Sequence, residues 1–268
     1  MLLAERIKAV ECRYAAATGS PGPGRKPDHV AIGHPEIDAA LQGGLLRGAL
    51  HEWLGIARSD IPEGTRGQSW TPPVATLVHL AWRFLETAPA ARHVVWIGER
   101  CFPYPRVLVR GDDRRLLDGS LFLTPRNAGD RLWAVDTALR SPAVGLVIAD
   151  GSRFDMAATR RIQLAAKSRG TPALLVRPPE ERAGLSAAQT RWLLRWAAAS
   201  RNTSGPRWSV ELLRCKGVQP DETRRLWVWE WDRAACTLDP SAPLVNSQSA
   251  AQAPVGNAAR GDIRQRSA

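Results

Sequence analysis

The sequence feature that most constrains the fold is an apolar run that ends in one acid, residues 140–150 (RSPAVGLVIAD). A continuous apolar run is typical of a strand that is buried on both of its faces. Its last residue, Asp150, would stand at the carboxyl end of that strand, which is where open α/β sheets bind ligands. In nucleotide-hydrolysing folds such an acid holds magnesium or its bound water. The alternative is that Asp150 only caps the next turn.

Helical patterns lie on both sides of this strand. The preceding one has an apolar face formed by Leu132, Val135 and Leu139, and Asp130 can cap it. The following one runs over 155–168 and ends at a glycine. The order helix, buried strand, helix predicts a parallel sheet with crossover connections.

Further runs extend this α/β prediction. We expect one mostly parallel sheet with helices on both faces, its strands at 48–54, 93–98, 121–123, 144–149 and 172–177, with 144–149 internal. The alternating residues 208–213 and 226–231 predict a C-terminal antiparallel hairpin. The periodicity predicts a helix over 74–86. Ser186 to Gln189 resembles a capping box, which predicts a second helix carrying Trp192, Leu193 and Trp196.

Composition limits the class of protein. An apolar fraction of 44% over 268 residues supports a sizeable core. No apolar segment reaches the roughly 18 residues of a membrane span, and the first residues lack a signal-peptide pattern, so we expect a cytoplasmic protein. The four cysteines have no paired spacing and indicate neither zinc nor disulfides. The net charge of +11, mostly from arginine, suits a nucleic-acid partner and is equally compatible with codon bias.

The same patterns divide the chain into three parts. Residues 1–29 are expected to form an N-terminal helix and a Gly- and Pro-rich linker. Residues 30–238 are expected to form the α/β domain. Residues 239–268 are rich in Ser, Ala, Gln and Pro, which predicts a disordered tail.

The loop after strand 48–54 bears on nucleotide chemistry. A phosphate-binding loop needs glycines, a lysine on the phosphates and a Ser or Thr on magnesium. The chain contains no Gly-Lys-Ser/Thr sequence, and residues 67–69 (GQS) keep only its outline with an uncharged Gln68. We therefore expect no tight nucleotide binding and no cofactor. Glu99 follows strand 93–98, as Asp150 follows strand 144–149. Two acids at neighbouring strand ends can polarise a metal-bound water, and the alternative is that they only cap loops.

Several segments, in this order, resemble the RecA-like superfamily. They are residues 37–41 (IDAAL), 43–52 (GGLLRGALHE), 94–99, 130–141, 144–150, 160–166 and 210–214. Within that superfamily the chain is similar to the ImuA-like accessory proteins of bacterial translesion synthesis, over residues 30–232. The missing phosphate-loop lysine departs from the recombinases and is common in the ImuA-like branch.

The resemblance implies a RecA-like fold and a protein without catalysis. Glu99 and Asp150 match the water-activating and magnesium-associated acids of recombinases and would be vestigial, so no catalytic, cofactor-binding or metal residue is expected. The implied role is a non-catalytic adaptor in SOS-induced translesion synthesis and mutagenesis, in the cytoplasm near the nucleoid. The implied partners are a Y-family-like polymerase homologue, an error-prone replicative-type DNA polymerase, RecA, and DNA directly or through those partners, with no membrane.

The basic residues of the helix over 155–168 are the candidate contacts with nucleic acid or partners. They are Arg160, Arg161, Lys167 and Arg169, and a solvated helix face is the alternative reading. Two other functions remain open at this point. One is an active RecA-like ATPase that uses Glu99 and Asp150. The other is a cell-division inhibitor of the SulA type.

Overall fold

The computed structural model describes residues 28–60, 69–87, 93–197, 205–217, 226–232 and 237–240. The strands in these segments are β1 (His29–Val30), β2 (Leu45–Leu46), β3 (Leu50–Leu54), β4 (Ile56–Ala57), β5 (Trp70–Thr71), β6 (His93–Ile97), β7 (Ser120–Leu123), β8 (Val144–Asp150), β9 (Ala173–Arg177), β10 (Thr190–Ala197), β11 (Arg207–Cys215), β12 (Leu226–Asp232) and β13 (Thr237–Pro240). The helices are α1 (Pro35–Ala40), α2 (Val74–Glu86), α3 (Arg115–Asp118), α4 (Ala128–Arg140) and α5 (Met156–Arg169).

Nine of these strands form one sheet in the order β13-β12-β11-β10-β3-β9-β8-β6-β7. From β10 through β3, β9, β8 and β6 to β7, each strand pairs in parallel with the next. β11, β12 and β13 extend the sheet in antiparallel order. The mostly parallel sheet and the C-terminal hairpin are thus confirmed. β8 is internal, between β9 and β6, and its Val147 is fully buried as predicted.

Helices cover both faces of the sheet. On one face, α2 packs over the parallel strands and joins an aromatic core, and its bounds match the predicted 74–86. In that core Trp53 of β3 stacks on Trp192 of β10 with ring centroids 5.1 Å apart. On the opposite face α4 and α5 lie side by side over a core rich in alanine and valine. Small side chains allow these two helices to approach the sheet closely.

The predicted ends of α4 and α5 can be compared with the observed ones. The helix predicted over 155–168 is α5, and it ends at Gly170 with φ +72°, as predicted. It begins after Asp155, whose carboxylate accepts from the Ala158 N–H at 2.8 Å. The cap predicted at Asp130 is wrong. α4 begins earlier, and the Asn127 side chain accepts from the Asp130 N–H at 2.9 Å.

The helix predicted from Ser186 onward is also wrong. Residues 190–197 form β10, which inserts between β3 and β11. The Ser186 hydroxyl does not cap a helix and donates instead to a buried carboxylate at 2.7 Å. Trp192 and Leu194 lie on one face of the strand with a period of two, and neighbouring strands satisfy the backbone on both sides.

The predicted N-terminal helix and most of the linker lie outside the described residues. β1 begins at His29, and β13 reaches Pro240, two residues into the segment predicted as a tail. The rest of that segment lies outside the described residues. Among the helices of the described part of the chain, none combines the length and the hydropathy that a bilayer crossing requires.

Candidate functional site

The carboxyl ends of β6 and β8 bring Asp150 and Glu99 to one edge of the sheet. The two strands pair in parallel, with Ile97 opposite Ala149. Asp150 is the last residue of β8 and is 5% exposed. Glu99 starts a short 3-10 turn beyond β6 and is exposed to solvent. The two acids therefore share an edge and differ in environment.

The carboxylate of Asp150 is engaged by the loop that follows it. One oxygen accepts from the Ser152 N–H at 2.9 Å. The other lies 3.8 Å from Arg100 Nε and 3.9 Å from Arg131 Nη1. Arg131 also donates to the carbonyl oxygens of Asp150 and Ser152 at 2.8 and 2.7 Å. This geometry is that of a turn cap held between two cations.

The same edge offers few further ligands for a cation. In the segments that the structure describes, no three His, Cys, Asp or Glu side chains gather into a group that could hold a metal ion. The two guanidinium groups beside Asp150 compensate the charge that would attract magnesium. Gly98 lies against this acid, and a Cβ built on it would come within 2.9 Å of the Asp150 Cβ. Gly98 also has a φ of +92°, so both space and backbone favour glycine here.

The residues directly after β3 occupy the place where a phosphate loop would begin. β4 pairs with β5 as a small antiparallel ribbon, which brings Trp70 over Gly55. A Cβ on Gly55 would lie 2.4 Å from the Trp70 ring and 2.5 Å from the Thr71 carbonyl oxygen. Trp70 is buried, and the Arg100 guanidinium lies 5.5 Å from its ring centroid. Residues 61–68, with the Gly67-Gln68 outline, lie outside the described residues.

A buried ion cluster, which the sequence analysis missed, lies beside this edge. Glu52 of β3 is fully buried and accepts from Arg177 Nη1 at 2.8 Å, from Arg191 Nε at 2.7 Å and from the Ser186 hydroxyl at 2.7 Å. Arg177 also donates to Glu181 at 2.7 Å. The cluster joins β3, β9, β10 and the segment between the last two strands.

The partners of this cluster explain its charge state. Burial on its own disfavours the charged form of Arg177, but the nearby Glu52 and Glu181 carboxylates more than compensate, so the pKa of Arg177 is raised. The guanidinium of Arg191 also donates hydrogen bonds to the carbonyl oxygens of Glu181, Arg182 and Gly184. The only signals in the sequence were an acid within the apolar strand β3 and arginines within β9 and β10. Each is inconspicuous alone.

Comparison with known proteins finds a relative, in two strains of the same bacterium. No family model matches the chain. Protein ImuA of Caulobacter vibrioides, in the sequences of two strains, is 28% identical over 207 residues, which cover 71% of this chain and 80% of the relative. The chain is ImuA-like. That similarity agrees with the resemblance drawn from residues 30–232.

The basic helix of this ImuA-like chain is α5. All four predicted contact residues, Arg160, Arg161, Lys167 and Arg169, are exposed on it. They do not form one surface, however. Residues seven apart on a helix share a face, whereas adjacent residues differ by about 100°. Arg160 and Lys167 therefore point the same way, and Arg161 points elsewhere.

Arg161 is engaged within the protein. Its Nη2 lies 2.9 Å from a carboxylate oxygen of Asp136 on α4, and Arg140 lies 3.2 Å from the other oxygen. Burial alone raises the pKa of Asp136, but hydrogen bonds from Arg161 and Arg140 outweigh it and hold that pKa below its usual value. Arg161 thus ties α5 to α4. Its charge is partly compensated before any partner arrives.

Proposed function

We propose that this ImuA-like chain is a non-catalytic accessory protein of SOS-induced translesion DNA synthesis and mutagenesis. The observation that carries the proposal is the similarity to Protein ImuA over 71% of the chain. Its partners are a Y-family-like polymerase homologue, an error-prone replicative-type DNA polymerase and RecA. It works in the cytoplasm near the nucleoid, on DNA or beside it.

Two features support a role without nucleotide chemistry. The chain lacks a Gly-Lys-Ser/Thr sequence, so no lysine of that motif can stabilise charge that develops on a transferred phosphate. The acid that matches the magnesium-associated position, Asp150, caps its own loop between Arg100 and Arg131. In this proposal the sheet is a rigid support, and the work is done by surfaces that bind other molecules.

The mechanism of such an adaptor is to raise the local concentration of its partners. Two modules held on one support meet at an effective concentration set by the support rather than by the cell. A net charge of +11 favours residence near a polyanion such as DNA, through phosphate contacts that carry no sequence information. A replicative-type polymerase bound to the same support would thereby stay close to the primer terminus.

The test is the damage-induced mutation frequency of a strain that lacks only this gene. We expect a fall to the level of a strain without the partner polymerases, and restoration by the full chain on a plasmid. A frequency equal to wild type, with the partner polymerases present and induced, would remove the proposal. Pull-down of the full chain from damaged cells then identifies which polymerase it carries.

A further inference from the structure

A second group of cations gathers where α5 meets the end of β11. The segment 186–188 bridges the two elements. Its Ala187 N–H donates to the Thr159 hydroxyl of α5 at 3.1 Å, and the Lys216 ammonium donates to the Ala187 carbonyl oxygen. Arg214 donates to the carbonyl oxygens of Ser186 and Ala188 at 2.7 and 2.8 Å. Backbone carbonyls therefore hold two cations beside the turn of α5 that carries Arg160.

In the part of the chain that the structure describes, the mutual repulsion of these cations is only partly offset by an acid. Burial and then the neighbouring cations Arg214 and Arg160 lower the pKa of Lys216. Burial and then Arg191 lower the pKa of Arg214, with only Glu52 acting in the opposite direction. Among the described residues, the buried Nε of Arg214 has no hydrogen-bond partner. An anion placed here would relieve the repulsion among Arg160, Arg214 and Lys216.

The outward face of α5 continues this positive surface. Arg160 and Lys167 are exposed, share one face and stand two turns apart, about 10.5 Å along the helix axis. A DNA strand carries one phosphate per about 3.4 Å of duplex axis, so this spacing covers about three phosphate steps. Arg161, on the side facing α4, belongs to the ion pair with Asp136 and not to this surface.

We propose that Arg160, Lys167 and Lys216 form a binding site for the sugar-phosphate backbone of DNA. The inference rests on the proposed function and specifies which residues hold the DNA. Arg214 lies half-buried beside them and adds to the positive potential. Such charges contact phosphates without reading base edges, so the site binds without sequence preference. It lies on the face covered by α4 and α5, beside the 186–188 segment that contacts α5.

The experiment measures binding of the full chain to a fluorescent duplex of about 20 base pairs, by anisotropy, at several salt concentrations. Arg160→Gln, Lys167→Gln and Lys216→Gln are each expected to weaken binding severalfold and to flatten the slope of log K against log salt by about one. Arg161→Gln is the matched control, since it removes the same charge from the next residue of the same helix. Arg106→Gln removes an exposed charge from a 3-10 turn elsewhere. Both controls should change affinity less than about twofold.

Several results would overturn the site. The first is that the wild-type chain does not bind DNA at low salt. The second is that the control variants lose as much DNA affinity as the site variants. The third is that polyglutamate displaces the duplex as well as unlabelled DNA of equal charge does. The last result would assign the surface to an acidic peptide. If Lys216→Gln loses its cooperative melting transition, the double variant Arg160→Gln with Lys167→Gln decides, because both side chains are exposed.

The failure of this site and the failure of the proposed function are distinguishable. A deletion strain that loses damage-induced mutagenesis, together with a wild-type chain that does not bind DNA, rejects only the site. A deletion strain with normal mutagenesis, together with DNA binding that depends on the three residues, rejects the accessory role and keeps the site.

Discussion

Arg191 and Glu52 lie 139 residues apart in the chain, and the Arg191 Nε donates to a Glu52 carboxylate oxygen at 2.7 Å. They meet because β10 lies parallel to β3 in a register that places these two residues opposite each other. Arg177, at the end of β9 on the other side of β3, donates to the second oxygen of the same carboxylate. One buried acid thus joins three adjacent strands.

This cluster predicts a large effect on stability from a small change. Glu52→Gln removes the negative charge and leaves the buried Arg191 with no carboxylate partner among the described residues, so we expect the free energy of unfolding to fall by about 3–5 kcal/mol. Urea denaturation checks it. Glu211→Gln serves as control, since Glu211 pairs with the exposed Arg182 and Arg195 at 3.4 and 3.7 Å, and should cost less than about 1 kcal/mol. A similar, small loss in both variants would show that the buried cluster contributes little.

Two buried histidines predict a loss of stability in weak acid. His51 bonds the Thr190 hydroxyl at 2.8 Å and the Leu46 carbonyl oxygen at 3.0 Å. His79 bonds the Ile32 carbonyl oxygen at 2.7 Å and accepts from the Leu238 N–H at 3.2 Å. Burial is the main cause that lowers the pKa of each to about 4 from 6.5.

The sign follows from proton binding. Below pH 6.5 the unfolded chain binds a proton at each histidine while the folded chain does not, so stability falls from pH 6.5 down to about 4. By pH 4.5 each histidine should cost about 2–3 kcal/mol relative to pH 7.5. Urea denaturation across this range measures the loss, and His79→Gln should make the curve flatter. An unfolding free energy that stays constant from pH 7.5 to 5 would contradict the prediction.

The lack of a phosphate-loop lysine predicts the response to nucleotide. The purified chain should neither bind ATP tightly nor hydrolyse it, with or without DNA, because the chain has no lysine of that motif and Asp150 lies between two arginines. Isothermal titration and a phosphate-release assay check this. DNA-stimulated turnover that disappears in Glu99→Gln or Asp150→Asn would revive the ATPase alternative.

Mutagenesis in cells separates an adaptor from an enzyme. Glu99→Gln should leave damage-induced mutation frequency unchanged, because Glu99 is exposed and outside any proposed contact. Arg160→Glu combined with Arg161→Glu should lower that frequency. Arg160→Glu should account for most of the loss through DNA or partner contact, while Arg161→Glu should act through stability by placing a second acid beside Asp136. A reduced frequency in Glu99→Gln at normal protein level would indicate catalysis.

Local sequence was sufficient where an element depends on its own residues. The apolar run at 144–149 became the internal strand β8, and the bounds of α2 matched the predicted 74–86. The helix predicted over 155–168 is α5, and it ends at Gly170 as expected, since such a cap bonds groups within the same turn. The carboxyl-edge positions of Asp150 and Glu99 followed from strand direction alone.

Tertiary structure decided what local signals left ambiguous. In residues 190–197 the apolar side chains fit a helical stripe and an alternating strand, and only the neighbours β3 and β11 select the strand by pairing with its backbone. The cap of α4 is different, since Asn127 accepts from the Asp130 N–H and donates to the Asp130 carboxylate, a local pairing that the prediction overlooked. Likewise, nothing in the sequence distinguishes Arg160 from Arg161. In the structure Arg161 pairs with Asp136, whereas Arg160 lies near Lys216.

The sequence by itself therefore determined which segments are buried, their period and the absence of a phosphate-loop lysine, because these properties are carried by adjacent residues. Only the tertiary structure decided which charges meet. The order of the strands brings together Glu52, Arg177 and Arg191. The packing of α5 beside the 186–188 segment brings Arg160 close to Lys216. Contacts between residues so distant in sequence depend on the packing of the whole sheet, which no local pattern encodes.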